Sequence, residues 1–407
     1  MQSCPPDYEQ QAHSNVTRSH SILVVAPFTH QNGHFVTFPR DISCALAANG
    51  HKVTLVHTRP FRTDLDWGDR NIERICLRGQ LESAPRWWQE FWARFANFPS
   101  ALCLAWIIWK LRPRDYELVL WTDFQAQSNV WPLTITRLLR LYRFRTAFFE
   151  HHPPDDVRGL LRLLPKRLAF DRARLAKLNM FVFSKALLKL WEAKIGTGAG
   201  LSYVPWGLWP KPVPETRRAA SRIALGIDQQ TRVLLIFGVQ AVKRKHIDTL
   251  YEAVCSFSPE RRLMLVFAGA SIGREPHPFS GWTHSNVDVR REEGFISEEK
   301  VEDYFYAADA IWVNYRDFPG ASGALLQAVG YGRLSITSTE GEIADLSREH
   351  NLGIVVKAPD ADHIKNALEK FVGMAQKDQV AWEQHICSIA RQYAWPQVAR
   401  AILTSLG

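Results

Sequence analysis

Short apolar runs rich in β-branched residues recur along this chain, and a segment with helical apolar spacing follows most of them. Ser21 to Ala26 (SILVVA) leads through PFTHQNGHF into Phe35, Phe38, Ile42, Ala45 and Leu46, a change of period from strand to helix. Asn49-Gly50 ends that helix, and Lys52 to His57 (KVTLVH) is the next strand, completing a βαβ opening. Further strands are predicted at Glu117 to Trp121, Thr146 to Glu150, Met180 to Ser184, Arg232 to Phe237, Leu263 to Ala268, Ala310 to Asn314 and Arg333 to Thr337. Strands that alternate with helices and are apolar on both faces belong in mostly parallel sheets covered on two sides, so the fold class is α/β. The first strand-helix turn holds a single glycine, Gly33, without G-x-G-x-x-G, which argues against simple dinucleotide chemistry.

The length of 407 residues exceeds one ordinary core, and a Pro-rich break at Val204 to Pro214 (VPWGLWPKPVP) separates two strand-helix series. The expected division is a disordered tail over 1–19, an N-terminal Rossmann-like domain over 20–205, and a linker over 206–230. A C-terminal Rossmann-like domain over 231–390 follows, then a helix over 391–407 packing back on the first domain. No window approaches the ~20 apolar residues of a membrane span, and the first twenty residues lack an apolar signal core, so a cytoplasmic location is expected. The six cysteines are scattered, with no Cys-x-x-Cys pair, and are expected to be buried thiols and not disulfides or zinc ligands. A net charge of +9 admits phosphorylated ligands, nucleic acid or an anionic membrane surface. Five tryptophans lie among basic residues between Ala84 and Arg114, and Val157 to Lys177 is leucine-rich and basic. Both stretches suit a lipid headgroup region, although a core and a solvated helix face use the same residues.

Three stretches carry candidate chemistry. After the strand at 146–150 comes Glu150-His151-His152-Pro153-Pro154-Asp155-Asp156, at the strand end where open α/β sheets place ligands. A histidine there serves as general acid or base near neutral pH; a polar loop around Pro-Pro has the same composition. After the strand at 232–237 come Gly238 and the cations Lys243, Arg244 and Lys245, placed to meet a diphosphate or simply solvated. The third stretch is ADAIWVNYRDFPGASGALLQAVGYGRLSITSTEG, in which a strand, a loop, a short helix from Ser322 to Gly332 and a second strand follow in order. Ser322 suits the N-cap, and the N–H groups around Gly323 and Ala324 with the helix dipole favour a phosphate; an ordinary well-capped loop-helix connection has the same sequence.

These motifs resemble the C-terminal domain of family 4 glycosyltransferases, retaining nucleotide-sugar enzymes of the GT-B fold. Phe237 to Ala253 is similar to their FG…K-G-x-D-x-L…A, the run from Gly294 to Ala310 to the segment before their donor loop, and SGALLQAVGYGRLSI to the loop itself. The likeness continues through Gly341, Leu352-Gly353, Pro359-Asp360 and Tyr393-Ala394-Trp395, and thus spans about 204–395; it is weaker in the first half. The resemblance implies two Rossmann-like domains facing across a cleft, a nucleotide-sugar donor on the second and an acceptor on the first. It also implies that no divalent metal or cofactor is needed, in keeping with the lack of an obvious Asp-x-Asp. Lys245 would neutralise the diphosphate leaving group, and the amides at Ser322 and Gly323 would hold the same phosphates. The candidate catalytic residues are therefore His151, His152 and Lys245. The donor-binding set is Gly33, Gly238, Lys243, Arg244, Lys245, Arg316, Ser322, Gly323, Ala324 and Gln327. The family's pair of glutamates falls on Pro319 and Gln327, of which Gln327 retains the capacity to hydrogen-bond a ribose hydroxyl. The arginine often found after FG is Val239, and an extra residue precedes Lys245.

The expected function is sugar transfer from a nucleotide sugar to a glycan or lipid-linked acceptor, in cell-surface polysaccharide or glycolipid assembly at the inner membrane face. The loss of the glutamates keeps open a non-catalytic GT-B protein that binds a nucleotide sugar or glycan. A nucleic-acid-binding protein stands behind both, because no binding module is recognisable.

Overall fold

The computed structural model describes residues 19–26, 34–57, 67–68, 72–76, 116–123, 145–151, 179–197, 200–211, 214–258, 261–272, 276–284, 286–316, 318, 320 and 322–406, with side chains from 37 onward in the second range. They form two compact units, one of residues 1–205 with 395–407 and one of 206–394.

In the first unit, β1 (Ser21–Ala26) is followed by α1 (His34–Ala48), β2 (Lys52–His57), β3 (Ile72–Cys76), β4 (Leu118–Trp121), β5 (Arg145–Glu150), β6 (Asn179–Val182), α2 (Lys185–Ile195) and β7 (Leu201–Tyr203). The seven strands form a parallel sheet in the order β3-β2-β1-β4-β5-β6-β7. Its central strands are wholly apolar toward both faces: Ile22 to Ala26, Leu118 to Trp121 and Ala147 to Phe149 are all buried. Ser184 caps α2 by accepting from the N–H groups of Ala186 and Leu187.

The second unit begins at Trp206 and contains α3 (Glu215–Ala224), β8 (Arg232–Phe237), α4 (Ile247–Cys255), β9 (Leu263–Ala268), β10 (Val287–Glu292), α5 (Glu298–Ala307), β11 (Ala310–Val313), α6 (Gly323–Gly330), β12 (Leu334–Thr337), α7 (Gly341–Glu349), β13 (Gly353–Val355), α8 (Ala361–Gly373) and α9 (Gln376–Gln392). Six parallel strands run in the order β10-β9-β8-β11-β12-β13. The order reverses between β8 and β11, and in sheets of this kind the crevice at the carboxyl ends of such a pair is where ligands bind. The last helix, α10 (Trp395–Ser405), belongs to the first unit and packs on α1. Trp395 is buried with its ring 5.6 Å from that of Phe38, and the Asn49 amide donates to the Pro396 carbonyl at 2.8 Å.

The linker expected over 206–230 is not one. Leu208 bridges to Ala394, the Lys211 N–H donates to the Gly330 carbonyl at 2.8 Å, and α3 lies against α5 with its charged face inward. Arg218 and Arg222 of α3 are buried and both donate to the buried Asp309 carboxylate, an ion pair that anchors the helix in the second unit. Ser297 caps α5, which begins at Glu298. The expectation of buried thiols holds for Cys44, while Cys76 and Cys387 are half-buried and Cys255 is exposed near the end of α4. Among the described residues no helix is long and apolar enough to cross a membrane. The Trp-rich stretch 84–114 and the basic stretch from 157 to 177 lie outside the described residues.

Candidate functional site

The loop after β8 is built on two glycines. Gly238 has φ +82°, and Gly269 after β9 has φ +142°; a Cβ on Gly269 would stand 2.2 Å from the Gly238 carbonyl oxygen. That contact fixes the turn against its neighbour, and Gln240 secures it by donating its side-chain N–H groups to the Ile236 and Gly238 carbonyls at 2.9 and 2.8 Å. The chain then bends back so that the Lys245 Nζ donates to the Phe237 carbonyl, where β8 ends. Lys245 is buried and its carbonyl accepts from the Trp312 indole at 2.7 Å, tying the loop to β11. Burial, with the Arg244 charge adding to it, pushes the Lys245 ammonium down to about 7. His246, in the left-handed region at φ 50°, starts α4.

The neighbouring loop after β11 supplies the other wall. Its Arg316 N–H donates to the Arg244 carbonyl at 2.8 Å, and the Arg316 guanidinium reaches His246 Nδ1 at 3.4 Å. The Tyr315 ring lies beneath Lys245, whose Nζ is 5.6 Å from the ring centroid. Ser322 is the N-cap of α6 and accepts from the Ala324 N–H at 3.2 Å. Among the described residues, nothing beyond its own chain neighbours and helix backbone lies within 4 Å of where a Cβ of Gly323 would stand, so the first turn of α6 is open there. An anion placed there meets backbone N–H groups and the positive end of the helix dipole, beside a buried ammonium. Two strand-end loops on either side of the reversal thus lie side by side, joined by the bond from the Arg316 N–H to the Arg244 carbonyl.

The structure places the sequence-predicted residues as follows. Gly238, Lys245, Arg316 and Ser322 lie on these two adjacent loops, and Gly323 and Ala324 open the helix that follows the second. Lys243 and Arg244 are on the first loop with their side chains exposed, and Gln327 is exposed one turn further along α6. Gly33 and His152 fall outside the described residues. His151 follows β5 in the first unit, half-buried, and its Nε2 bonds the Thr122 carbonyl beyond β4 at 2.8 Å. A carbonyl only accepts, so Nε2 carries a proton, and Phe38 and Phe183 hold the ring at 5.5 and 5.2 Å. Reasoning from sequence missed Tyr315 and Gln240. Tyr315 directly follows an apolar run and reads as core, and Gln240 sits where the resemblance has no motif residue. Among the described residues no cluster of His, Cys, Asp or Glu side chains is placed to hold a metal ion.

No family model matches this sequence, and no curated protein matches it. Solved structures do. Sucrose-phosphate synthase from Thermosynechococcus elongatus superposes with a TM-score of 0.63 at 18% identity, over 95% of this chain and 98% of that one. WaaG, a glycosyltransferase involved in lipopolysaccharide biosynthesis, gives 0.61 at 20% identity, over 94% and 99%. Anabaena HepE in complex with UDP-glucose gives 0.59 at 13% identity, over 95% and 99%. At these identities the likeness is one of fold, and it spans both units: two parallel-sheet α/β domains of the GT-B architecture.

Proposed function

We propose that this GT-B chain is a glycosyltransferase, using a nucleotide-sugar donor and a glycan or lipid-linked acceptor. The observation that carries the reading is the buried Lys245 ammonium beside the capped, open N-terminus of α6, at the carboxyl ends of β8 and β11. As the anomeric carbon–oxygen bond to the diphosphate breaks, negative charge grows on the leaving group. Lys245 and the amides at Gly323 and Ala324 stand where that growing charge needs stabilising. Gln327 is assigned to a donor hydroxyl, and Lys243, Arg244 and Arg316 to the field that draws the anion in. His151, with His152, is assigned to the sugar or acceptor hydroxyl. The resemblance of the donor-loop sequence adds a retaining, metal-independent course. The names of the matched structures, which include a UDP-glucose complex, support a uridine nucleotide as the first donor to try. A peripheral position on the inner membrane face, in cell-surface glycan or glycolipid assembly, fits the +9 charge and the tryptophan-basic stretch.

The test measures binding of UDP and UDP-glucose by calorimetry together with sugar release, with and without acceptor, for the parent chain and Lys245→Ala. Loss of the ammonium lowers turnover about a hundredfold or more, roughly 3 kcal/mol, and lowers donor affinity less. A parent that binds no nucleotide sugar in a broad donor panel overturns the reading. A parent that binds one but neither hydrolyses nor transfers it is a non-catalytic GT-B binder.

A further inference from the structure

Lys245 is a flexible side chain on a loop, and its usefulness depends on what holds the ammonium in place. Two groups do so: the Phe237 carbonyl, which is its hydrogen-bond acceptor, and the face of the Tyr315 ring, 5.6 Å below. The carbonyl belongs to the same strand end, whereas the ring comes from the opposite loop. Tyr315 is itself buried. One side chain of the second loop therefore lies against the cation of the first, with its π-face under the ammonium.

We propose that Tyr315 is a positioning residue for donor binding, holding the Lys245 ammonium by the face of its ring, so that the two phosphate-facing loops act as one. The inference rests on the donor-site reading above and deepens it. A tyrosine face attracts a cation most strongly where water is excluded, as it is around Lys245. The ring therefore favours the charged lysine against the burial that opposes it. The charged and titratable groups around the ammonium are Arg244 on its own loop, Tyr315 on the facing loop, and the Arg316–His246 pair that bridges the two. Arg244 repels the ammonium, and Tyr315 is the group facing it from the other loop.

Ring and hydroxyl separate by substitution. Tyr315→Phe keeps the ring and loses the hydroxyl; Tyr315→Leu loses both. UDP affinity is measured by calorimetry from pH 5.5 to 9 for the parent and both variants. The Lys245 titration is followed in the unliganded proteins by NMR of 13C-dimethylated lysines, with Lys245→Arg to assign the signal. In Tyr315→Leu the Lys245 midpoint moves to lower pH, and UDP binding falls about tenfold near neutrality with its own pH midpoint shifted the same way. In Tyr315→Phe the midpoint stays while affinity falls less. A variant that had merely lost packing would melt earlier without moving either midpoint, and that outcome overturns the proposal. If UDP fails to bind the parent and the donor panel also fails, the donor-site reading falls and the phosphate role of Tyr315 falls with it. The lysine midpoint in Tyr315→Leu then still shows whether ring and ammonium are coupled.

Discussion

A buried ammonium with one hydrogen bond to a carbonyl is a liability for a folded chain, and Lys245 carries that liability at the mouth of a sheet. Its folded value of about 7 lies below the ordinary 10.5, so between those values the unfolded chain binds more protons. The destabilisation is therefore complete below pH 7 and fades as pH rises toward 10. Lys245→Met is expected to raise the stability at pH 7 by on the order of 2 kcal/mol while weakening nucleotide binding. The gain should shrink as denaturant melts are repeated from pH 7 to pH 10; a loss of stability at pH 7 would show that the ammonium is structural. Gly323 allows the converse experiment. The space around it is empty, so Gly323→Val should change stability by less than about 0.5 kcal/mol. Nucleotide affinity should nevertheless drop at least about tenfold, because the methyls occupy the approach to the α6 amides. Calorimetry with UDP beside a thermal melt reads both. Both residues were singled out in the sequence because a lysine following a strand end and a glycine at a helix start are placed to meet an anion. Tyr315 was not, since an aromatic residue after an apolar run has the same appearance whether it fills a core or supports a cation.

At the level of elements, what the sequence hides is what the core does not need. The strands β3 and β7 in one sheet, and β10 and β13 in the other, have no strand assigned to them in the sequence reading, and all four are edges. Central strands are covered by helices on both sides and read as continuous apolar runs, whereas IERIC and VDVRRE face water and carry charges. Helix α3 was lost for a related reason. Its buried residues are Arg218, Ser221 and Arg222, so apolar periodicity points the wrong way, and the stretch looks like a basic linker. The structure shows Asp309 accepting from Arg218, Arg222, Gln379 and the Val233 N–H, with Arg232 3.6 Å away and Glu383 between Arg218 and Arg333. Burial alone would raise the Asp309 carboxyl, but Arg218 and Arg222 more than reverse it and hold it low. Its stabilising effect is thus present above the ordinary carboxylate range and is lost only as pH falls through the depressed folded value. Removing the carboxylate leaves arginines buried without a counter-charge. Asp309→Ala is expected to cost about 3–5 kcal/mol in a urea melt. Because Asp309 lies at the amino end of β11, opposite the donor loops, UDP affinity of the still-folded fraction should be unchanged; a specific loss of affinity would place the cluster in the binding apparatus.

For the molecule as a whole, the chain leaves its first unit at Pro205 and returns to it at Trp395, so that the second unit is an insertion between the seventh strand and the last helix of the first. Two sheets on either side of a proline-rich stretch were readable from the central strands. The extent of the second unit was not, because its first helix looked like linker. The return has an energetic consequence. Trp395, Val398, Ala399 and Ile402 of α10 are buried, and Asn49, just after α1, donates to the Pro396 carbonyl at 2.8 Å. Burying side chains of this size contributes roughly 1.5–3 kcal/mol each, so deleting residues 395–407 removes on the order of 5 kcal/mol from the first unit. The second unit keeps every contact described for the α6 and Lys245 surface, none of which involves α10. A chain ending at Ala394 should therefore show two separated unfolding transitions where the full chain shows less separation, the earlier one belonging to the first unit. It should still bind UDP with the parent's affinity and pH dependence, and it should no longer transfer sugar. A single early transition in which UDP binding is lost together with the fold would mean that the second unit does not stand alone, and that the nucleotide surface depends on the first unit for more than its chemistry.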